Sequence, residues 1–324
     1  MQIATNPAAL LSSVRGLFGG PQLRAARLKF EAWWTGEPVE AVAERISDAA
    51  PSGASAASSD APVSLEGPLA DLASRSAISQ LLWGDGHLTP VTEEDYLEYA
   101  HALLVNSEKS MAVIGAGLGG GARHIASETG VWITAYEARP AIAAMAVEAN
   151  AKAGLAKKVS IETFEPGGLE LPAEKYHGVL CVGEVAFVED KDAFYALLRS
   201  AISKGGSLLF ADYMLAADGP TPEGCFTPYW GTPHLSTLEQ HIASLEAAGF
   251  DVRVREDATP RLIETIEAGW AQARRAAKQL ESDVWEGETR VLMLRMLDEE
   301  ARMWAERYAA LQGGVLEWRR ILAT

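Results

Sequence analysis

Short apolar runs alternate with helix-length amphipathic segments through the middle of the chain. Residues 111–114, 131–136, 178–182 and 207–211 are nearly continuous in hydrophobicity and too short for helices, the pattern of strands buried on both faces, and a further strand is expected over 159–164. Helical spacing follows Gly119, then recurs over 140–153 and 191–202. Strands alternating with helices of this length predict a mostly parallel sheet covered on both sides. Ahead of this block the pattern predicts a helix over 93–106 and a loop over 82–90. Beyond residue 212 a Pro- and Gly-rich loop leads to a helix over 236–248, with Ser236 or Thr237 as cap and Gly249 as stop. A strand over 251–256, helices over about 260–280 and 288–311, and a closing strand over 314–322 complete the chain.

The N-terminal part breaks this rhythm. Residues 1–46 contain a helical segment with Leu28, Phe30, Trp33 and Trp34, whose apolar spacing suggests a docking face for a second copy or a partner. Residues 47–69, rich in Ala, Ser, Asp and Pro, have the composition of a flexible linker. The expected organisation is a head, a linker, and one α/β domain over 70–324 with a helical lid at about 260–312.

Composition narrows the partners. Lys and Arg number 28 against 44 Asp and Glu, a net charge of -16 with no dense basic cluster, which disfavours nucleic acid and anionic bilayers. No apolar stretch reaches the roughly 18 residues of a membrane span. The first residues lack the charged-then-apolar order of a signal peptide, so a cytoplasmic protein without stable membrane insertion is expected. Two cysteines, Cys181 and Cys225, are too few for a metal-ligand or disulfide framework, and no metal is expected.

Gly115-Ala116-Gly117-Leu118-Gly119 links the strand at 111–114 to the following helix. Glycines there permit positive φ and let a ligand lie against bare backbone. The next strand ends in Glu137, the position from which a carboxylate takes the hydroxyls of an adenosine ribose. That pair of features leaves the cofactor open, because an FAD or NAD(P) oxidoreductase can use the same turn. Against that rival, the turn lies more than a hundred residues into the chain and no second dinucleotide turn follows.

Further segments resemble the class I S-adenosylmethionine-dependent methyltransferases. Residues 176–187 are similar to their fourth-strand motif, and residues 196–212 to their helix, Lys-Gly-Gly turn and fifth strand. Trp83-Gly84-Asp85-Gly86-His87 and Asp257-Ala258-Thr259-Pro260 look like segments of the small-molecule and lipid branch, which includes phosphoethanolamine, sarcosine and sterol methyltransferases and cyclopropane-synthase relatives. The resemblance implies a Rossmann-like seven-stranded α/β sheet with its last strand antiparallel and a helical lid between the last two strands. It implies S-adenosylmethionine held by Gly115, Ala116, Gly117, Gly119, Glu137, Ala138, Glu165, Val182 and Gly183, with Glu165 near the adenine. One position departs: Val113 stands where the family usually carries an acid.

Methyl transfer from a sulfonium is an in-line displacement in which the protein supplies proximity, alignment and removal of a proton. His234 and Tyr213 are the candidates for catalysis; Trp83, His87, Glu184, Phe187 and Trp230 are candidates for holding a small-molecule or lipid-like acceptor. Aromatics among them would hold a cation by its attraction to the ring face. Trp270, Trp285 and Trp304 are expected to pack the lid. A third reading is a non-catalytic S-adenosylmethionine-binding subunit. The sequence names neither the acceptor nor its attacking atom.

Overall fold

A computed structural model describes residues 68–165, 167–281 and 287–324, together with Pro38, Glu40, Ala41 and Ala43. The Trp33-Trp34 head and nearly all of the linker lie outside the described residues.

The elements run in the order α1 (Pro68–Trp83), α2 (Glu93–Ala102), β1 (Ser110–Ile114), α3 (Gly120–Thr129), β2 (Trp132–Glu137), α4 (Pro140–Lys152), β3 (Val159–Thr163) and β4 (Tyr176–Val182). They continue with α5 (Lys191–Ala201), β5 (Ile202–Leu215), α6 (Leu238–Ala247), β6 (Val252–Asp257), α7 (Thr259–Glu281), α8 (Gly287–Gln312) and β7 (Leu316–Ala323). The strands form one seven-stranded sheet in the order β3-β2-β1-β4-β5-β7-β6. β7 runs antiparallel to both β5 and β6, and the other pairings are parallel. This is the predicted architecture, with the lid helices α7 and α8 between β6 and β7.

Side-chain alternation along each strand builds two cores, one on each sheet face. Met111, Val113, Leu180, Val182, Leu209 and Ala211 join the core beneath α1, α2, α3 and the lid. Ala112, Ile114, Val179, Cys181, Leu208 and Phe210 join the core under α5 and α6. Val113 is thus a core residue, 4% exposed. Local signals set the helix ends: Thr92 and Thr237 each make a reciprocal capping box, with Asp95 and Gln240 respectively.

The fifth strand is longer than its apolar run. Lys204-Gly205-Gly206, expected as a turn before it, lies inside β5 as an irregularity, because the pairing shifts between Tyr176/Ile202 and Gly178/Ser207. Gly206 packs so closely on the His177 carbonyl that a Cβ would sit 2.7 Å from its oxygen.

The segment between α1 and α2 crosses the sheet rim and packs on the start of α3. Gly120 N–H donates to the Gly86 carbonyl at 3.1 Å, and Gly121 lies face-on to the Tyr96 ring of α2. Gly121→Ala would drive a methyl into that ring, so a loss of about 1–3 kcal/mol is expected in urea unfolding. An unchanged unfolding midpoint would contradict this packing.

Candidate functional site

The loops leaving the carboxyl ends of β1, β2, β4 and β5 converge on one rim, where an open α/β sheet receives its ligand. The turn after β1 is anchored by backbone alone. Gly115 and Ala116 N–H groups donate to the Tyr136 carbonyl at 2.9 and 3.0 Å, and Gly115 and Gly117 take φ of +72° and +55°. Gly117 N–H then donates to Glu137 Oε2 at 2.8 Å. Glu137 is only 1% exposed, and its other oxygen accepts from the Arg139 backbone N–H at 3.0 Å and Nε at 2.6 Å. Beyond Glu137, the Arg139 guanidinium lies 4.8 Å from the Trp230 ring centroid.

Two cavities open on this rim. An outer cleft of about 1400 Å³ is bordered by Glu137, Ala138, Arg139, Phe164, Glu184 and His234, among others. An inner cavity of about 90 Å³ lies between the glycine turn and the lid, bordered by His87, Gly115, Ala116, Gly117, Tyr213 and the α8 residues Glu300, Met303, Trp304 and Arg307. Arg139, Glu184, Phe187 and Trp230 border both, and so form the partition between them.

Most sequence-predicted residues meet here. Gly115, Ala116, Gly117, Val182, Gly183, His87, Glu184, Phe187, Trp230 and Tyr213 all border the inner cavity. Glu137 and Ala138 border the outer cleft. Gly119 sits one step behind as the left-handed N-cap of α3. The two catalytic candidates fall apart: Tyr213 is inside, whereas His234 borders only the outer cleft, its backbone N–H donating to the Ala186 carbonyl at 2.7 Å. Like Gly119, two further residues miss both cavities. Glu165 is exposed, and Phe164 rather than Glu165 borders the cleft. Trp83 packs edge-on against Trp270 and Trp304, with centroids 6.1 and 4.9 Å away, so it supports the lid while Trp304 faces the cavity.

Arg139, Glu300 and Arg307 were not anticipated. Arg139 was findable two residues beyond Glu137. Glu300, Met303, Trp304 and Arg307 follow the i, i+3, i+4, i+7 spacing of one helical face, a stripe whose mixed chemistry conceals it among lid residues.

Electrostatics distinguish the acids. Burial, and after it the Glu137 charge, pushes the Glu184 carboxyl up to about 8, with Arg139 opposing. Asp212, at the β5 end, is raised to about 6 by burial, held back by backbone N–H donors. Its oxygens accept from Ala186 and Tyr213 N–H at 3.1 and 2.7 Å, which pins the turn carrying Phe187. The Tyr213 phenol is pushed up to about 12, chiefly by burial, so near neutral pH it is a hydrogen-bond donor and not a base. Among the described residues no group of three or more His, Cys, Asp or Glu is placed to hold a metal, and no helix is long and apolar enough to cross a membrane.

No family model matches the chain. Phosphoethanolamine N-methyltransferase 3 of Arabidopsis thaliana is 20% identical over 185 residues, 57% of this chain and 37% of that protein. The chain therefore spans well under half the length of that curated relative. Among solved structures, phosphoethanolamine N-methyltransferase 2 of Haemonchus contortus, in complex with S-adenosyl-L-methionine, superposes with a TM-score of 0.64 at 18% identity, covering 77% of this chain and 56% of that one. A sarcosine dimethylglycine methyltransferase structure from Galdieria sulphuraria gives 0.58 at 16% identity, covering 77% and 97%. The fold is that of the class I methyltransferases. A shared fold does not fix an activity, which has to be argued from the site.

The Glu184 shift has a consequence for stability. Its folded-state affinity for the proton exceeds that of the unfolded chain, so its stabilising contribution is full below the ordinary carboxylate value and is lost as pH rises through about 8. Glu184→Gln cannot ionise. It is expected to melt close to the wild type at about pH 5 and several degrees above it at about pH 9. Equal melting offsets at both pH values would show that Glu184 is not held in a charge-disfavouring site.

Proposed function

We propose that this chain transfers a methyl group from S-adenosylmethionine to a small-molecule acceptor, lipid-like molecules included, by in-line displacement. The observation carrying this reading is the Gly117–Glu137 contact, which sets bare turn backbone against a buried strand-end carboxylate at 2.8 Å. The residues fit the cofactor. The turn offers bare backbone at Gly115 and Gly117, and Glu137 presents two acceptor oxygens, one exchangeable from Arg139 to ribose hydroxyls. Val182 and Gly183 offer backbone at the β4 end, and the inner cavity would take the methionine end beside His87.

A dinucleotide enzyme is less well served. Its pyrophosphate needs the free N–H groups at the start of α3. Here Gly120 N–H is already bonded to the Gly86 carbonyl, so the loop after α1 covers that position. The names of the relatives and the cofactor in the neighbouring structure point the same way.

S-adenosylmethionine, when bound, supplies an electrophilic methyl on a sulfonium. The protein supplies the rest. Phe187, Trp230 and Trp304 exclude water, and the Tyr213 hydroxyl can donate to the acceptor. Glu184, on the partition and raised to about 8, can take a proton from an attacking group. His234 would act only on a group in the outer cleft. The net charge of -16 fits a cytoplasmic enzyme with no nucleic-acid partner, and residues 1–46 are assigned to docking a second copy or a partner.

Calorimetry tests the reading directly. S-adenosylhomocysteine is expected to bind and NAD is not; Gly117→Val and Glu137→Ala should each weaken S-adenosylhomocysteine by about tenfold or more, the scale of losing a hydrogen bond to a charged group. Unchanged affinity in both variants would remove the site assignment. Once an acceptor is in hand, turnover should rise with pH through about 8 and lose that rise in Glu184→Gln.

A further inference from the structure

Glu184, two residues beyond β4, borders both the outer cleft and the inner cavity. It is half-buried, and its side chain lies against the glycine turn: a Cβ at Gly115 would stand 2.5 Å from Glu184 Oε2 and 2.9 Å from its Cδ. Only a glycine at 115 leaves the acid this place. Burial and the charges of Glu137, Arg139 and Asp212 act on its carboxyl, with no hydrogen bond among these influences. The other two acids of the rim are satisfied by the protein itself. Glu137 accepts from Gly117 and Arg139, and Asp212 from the backbone N–H groups of Ala186 and Tyr213. Connectivity then places Glu184 relative to the cofactor. With the ribose on Glu137 and the methionine end in the inner cavity, the sulfur that joins them falls on the partition bordering both. Phe187 and Trp230 offer ring faces there, which attract a cation. Arg139 is itself a cation, bonded through Nε and Nη2 to Glu137. Of the four partition residues only Glu184 can present a negative charge.

We propose that Glu184 reads the charge on the cofactor's sulfur, pairing as a carboxylate with the sulfonium of the loaded cofactor and not with the neutral thioether of the spent one. This rests on the methyltransferase reading and adds the residue by which the site tells the two cofactor forms apart. Burial and the Glu137 charge hold the carboxyl up at about 8, so near neutral pH the free protein carries Glu184 as the acid. A sulfonium on the partition favours the carboxylate, and the proton leaves to solvent. In the transfer step the electron pair of the breaking C–S bond goes to sulfur, and an acceptor lone pair forms the new bond to the methyl carbon. The acceptor's proton passes to Glu184, whose affinity for it returns as the sulfur becomes neutral. Sulfonium and carboxylate thus become thioether and acid, and the charge balances. Other ionisable groups face the same space. His87, Tyr213, Glu300 and Arg307 border the inner cavity and His234 the outer cleft. Burial lowers the His87 proton affinity, the Tyr213 phenol stands at about 12, and Arg307 donates to the Cys225 carbonyl at 2.8 Å. Burial raises the Glu300 carboxyl, but its oxygens lie against Trp304 and Arg75.

The test is calorimetric titration of the full chain with S-adenosylmethionine and with S-adenosylhomocysteine, without an acceptor. Repeating it in two buffers of different ionisation enthalpy counts the protons released. At about pH 7 the wild type should release about half a proton or more with S-adenosylmethionine beyond what it releases with S-adenosylhomocysteine, the scale set by an opposite charge lowering a carboxyl by about 1–3 pH units. That difference should vanish in Glu184→Gln. Because a released proton makes binding tighten as pH rises, the wild-type preference for S-adenosylmethionine over S-adenosylhomocysteine should grow roughly tenfold from about pH 6 to pH 8. In Glu184→Gln the preference should be weaker and lose this growth; comparison with the variant subtracts the ligands' own ionisation. Equal proton counts for the two ligands in the wild type would overturn the proposal, as would a preference with the same pH dependence in Glu184→Gln. Binding of neither ligand to the wild type brings down the methyltransferase reading and this proposal with it, whereas binding of both with equal proton counts brings down this proposal alone. The melting temperature of Glu184→Gln reports whether the variant folds. Where it does not, the wild-type difference between the two ligands, which share an α-ammonium, decides the matter.

Discussion

The site depends on how the buried carboxylate of Glu137 is satisfied. A charge that is 1% exposed must be hydrogen-bonded or it would neutralise or destabilise the fold. Here the donors come from the two turns it separates, Gly117 N–H on one side and the backbone and guanidinium of Arg139 on the other. The carboxylate consequently ties the turn after β1 to the turn after β2. A single side chain makes the rim rigid and leaves bare backbone facing the ligand. Of its donors only the Arg139 side chain can leave without unfolding a turn, which is what a ribose hydroxyl would require.

Around that anchor the molecule divides its space. The sheet rim offers backbone and a wide outer cleft, whereas the lid offers side chains and a small inner cavity. Arg139, Glu184, Phe187 and Trp230 stand between them, so a molecule in one chamber necessarily touches the electrostatics of the other. Glu184 gains its raised proton affinity there, from burial and the neighbouring Glu137 charge, with Arg139 tempering it. The lid must bury apolar surface to stay closed, yet α8 turns Glu300 and Arg307 toward the cavity along with Met303 and Trp304.

The sequence by itself determined the sheet, the order of the helices, the lid's position in the chain and the glycine turn with Glu137. These depend on local periodicity and on residues whose backbone demands are written in their identity: a short apolar strand, a capping threonine, a glycine at positive φ. Only the tertiary structure decided which side chains share a cavity. It moved Trp83 behind Trp304, left Glu165 exposed, sent His234 and Tyr213 to different chambers, and brought Arg139, Glu300 and Arg307 into the site. The physical reason is that Glu300 on α8 meets the glycine turn only after the sheet and lid close over the 180 residues between Gly119 and Glu300. No local pattern records which face of a helix that closure turns inward when the face carries an acid, a thioether, an indole and a guanidinium.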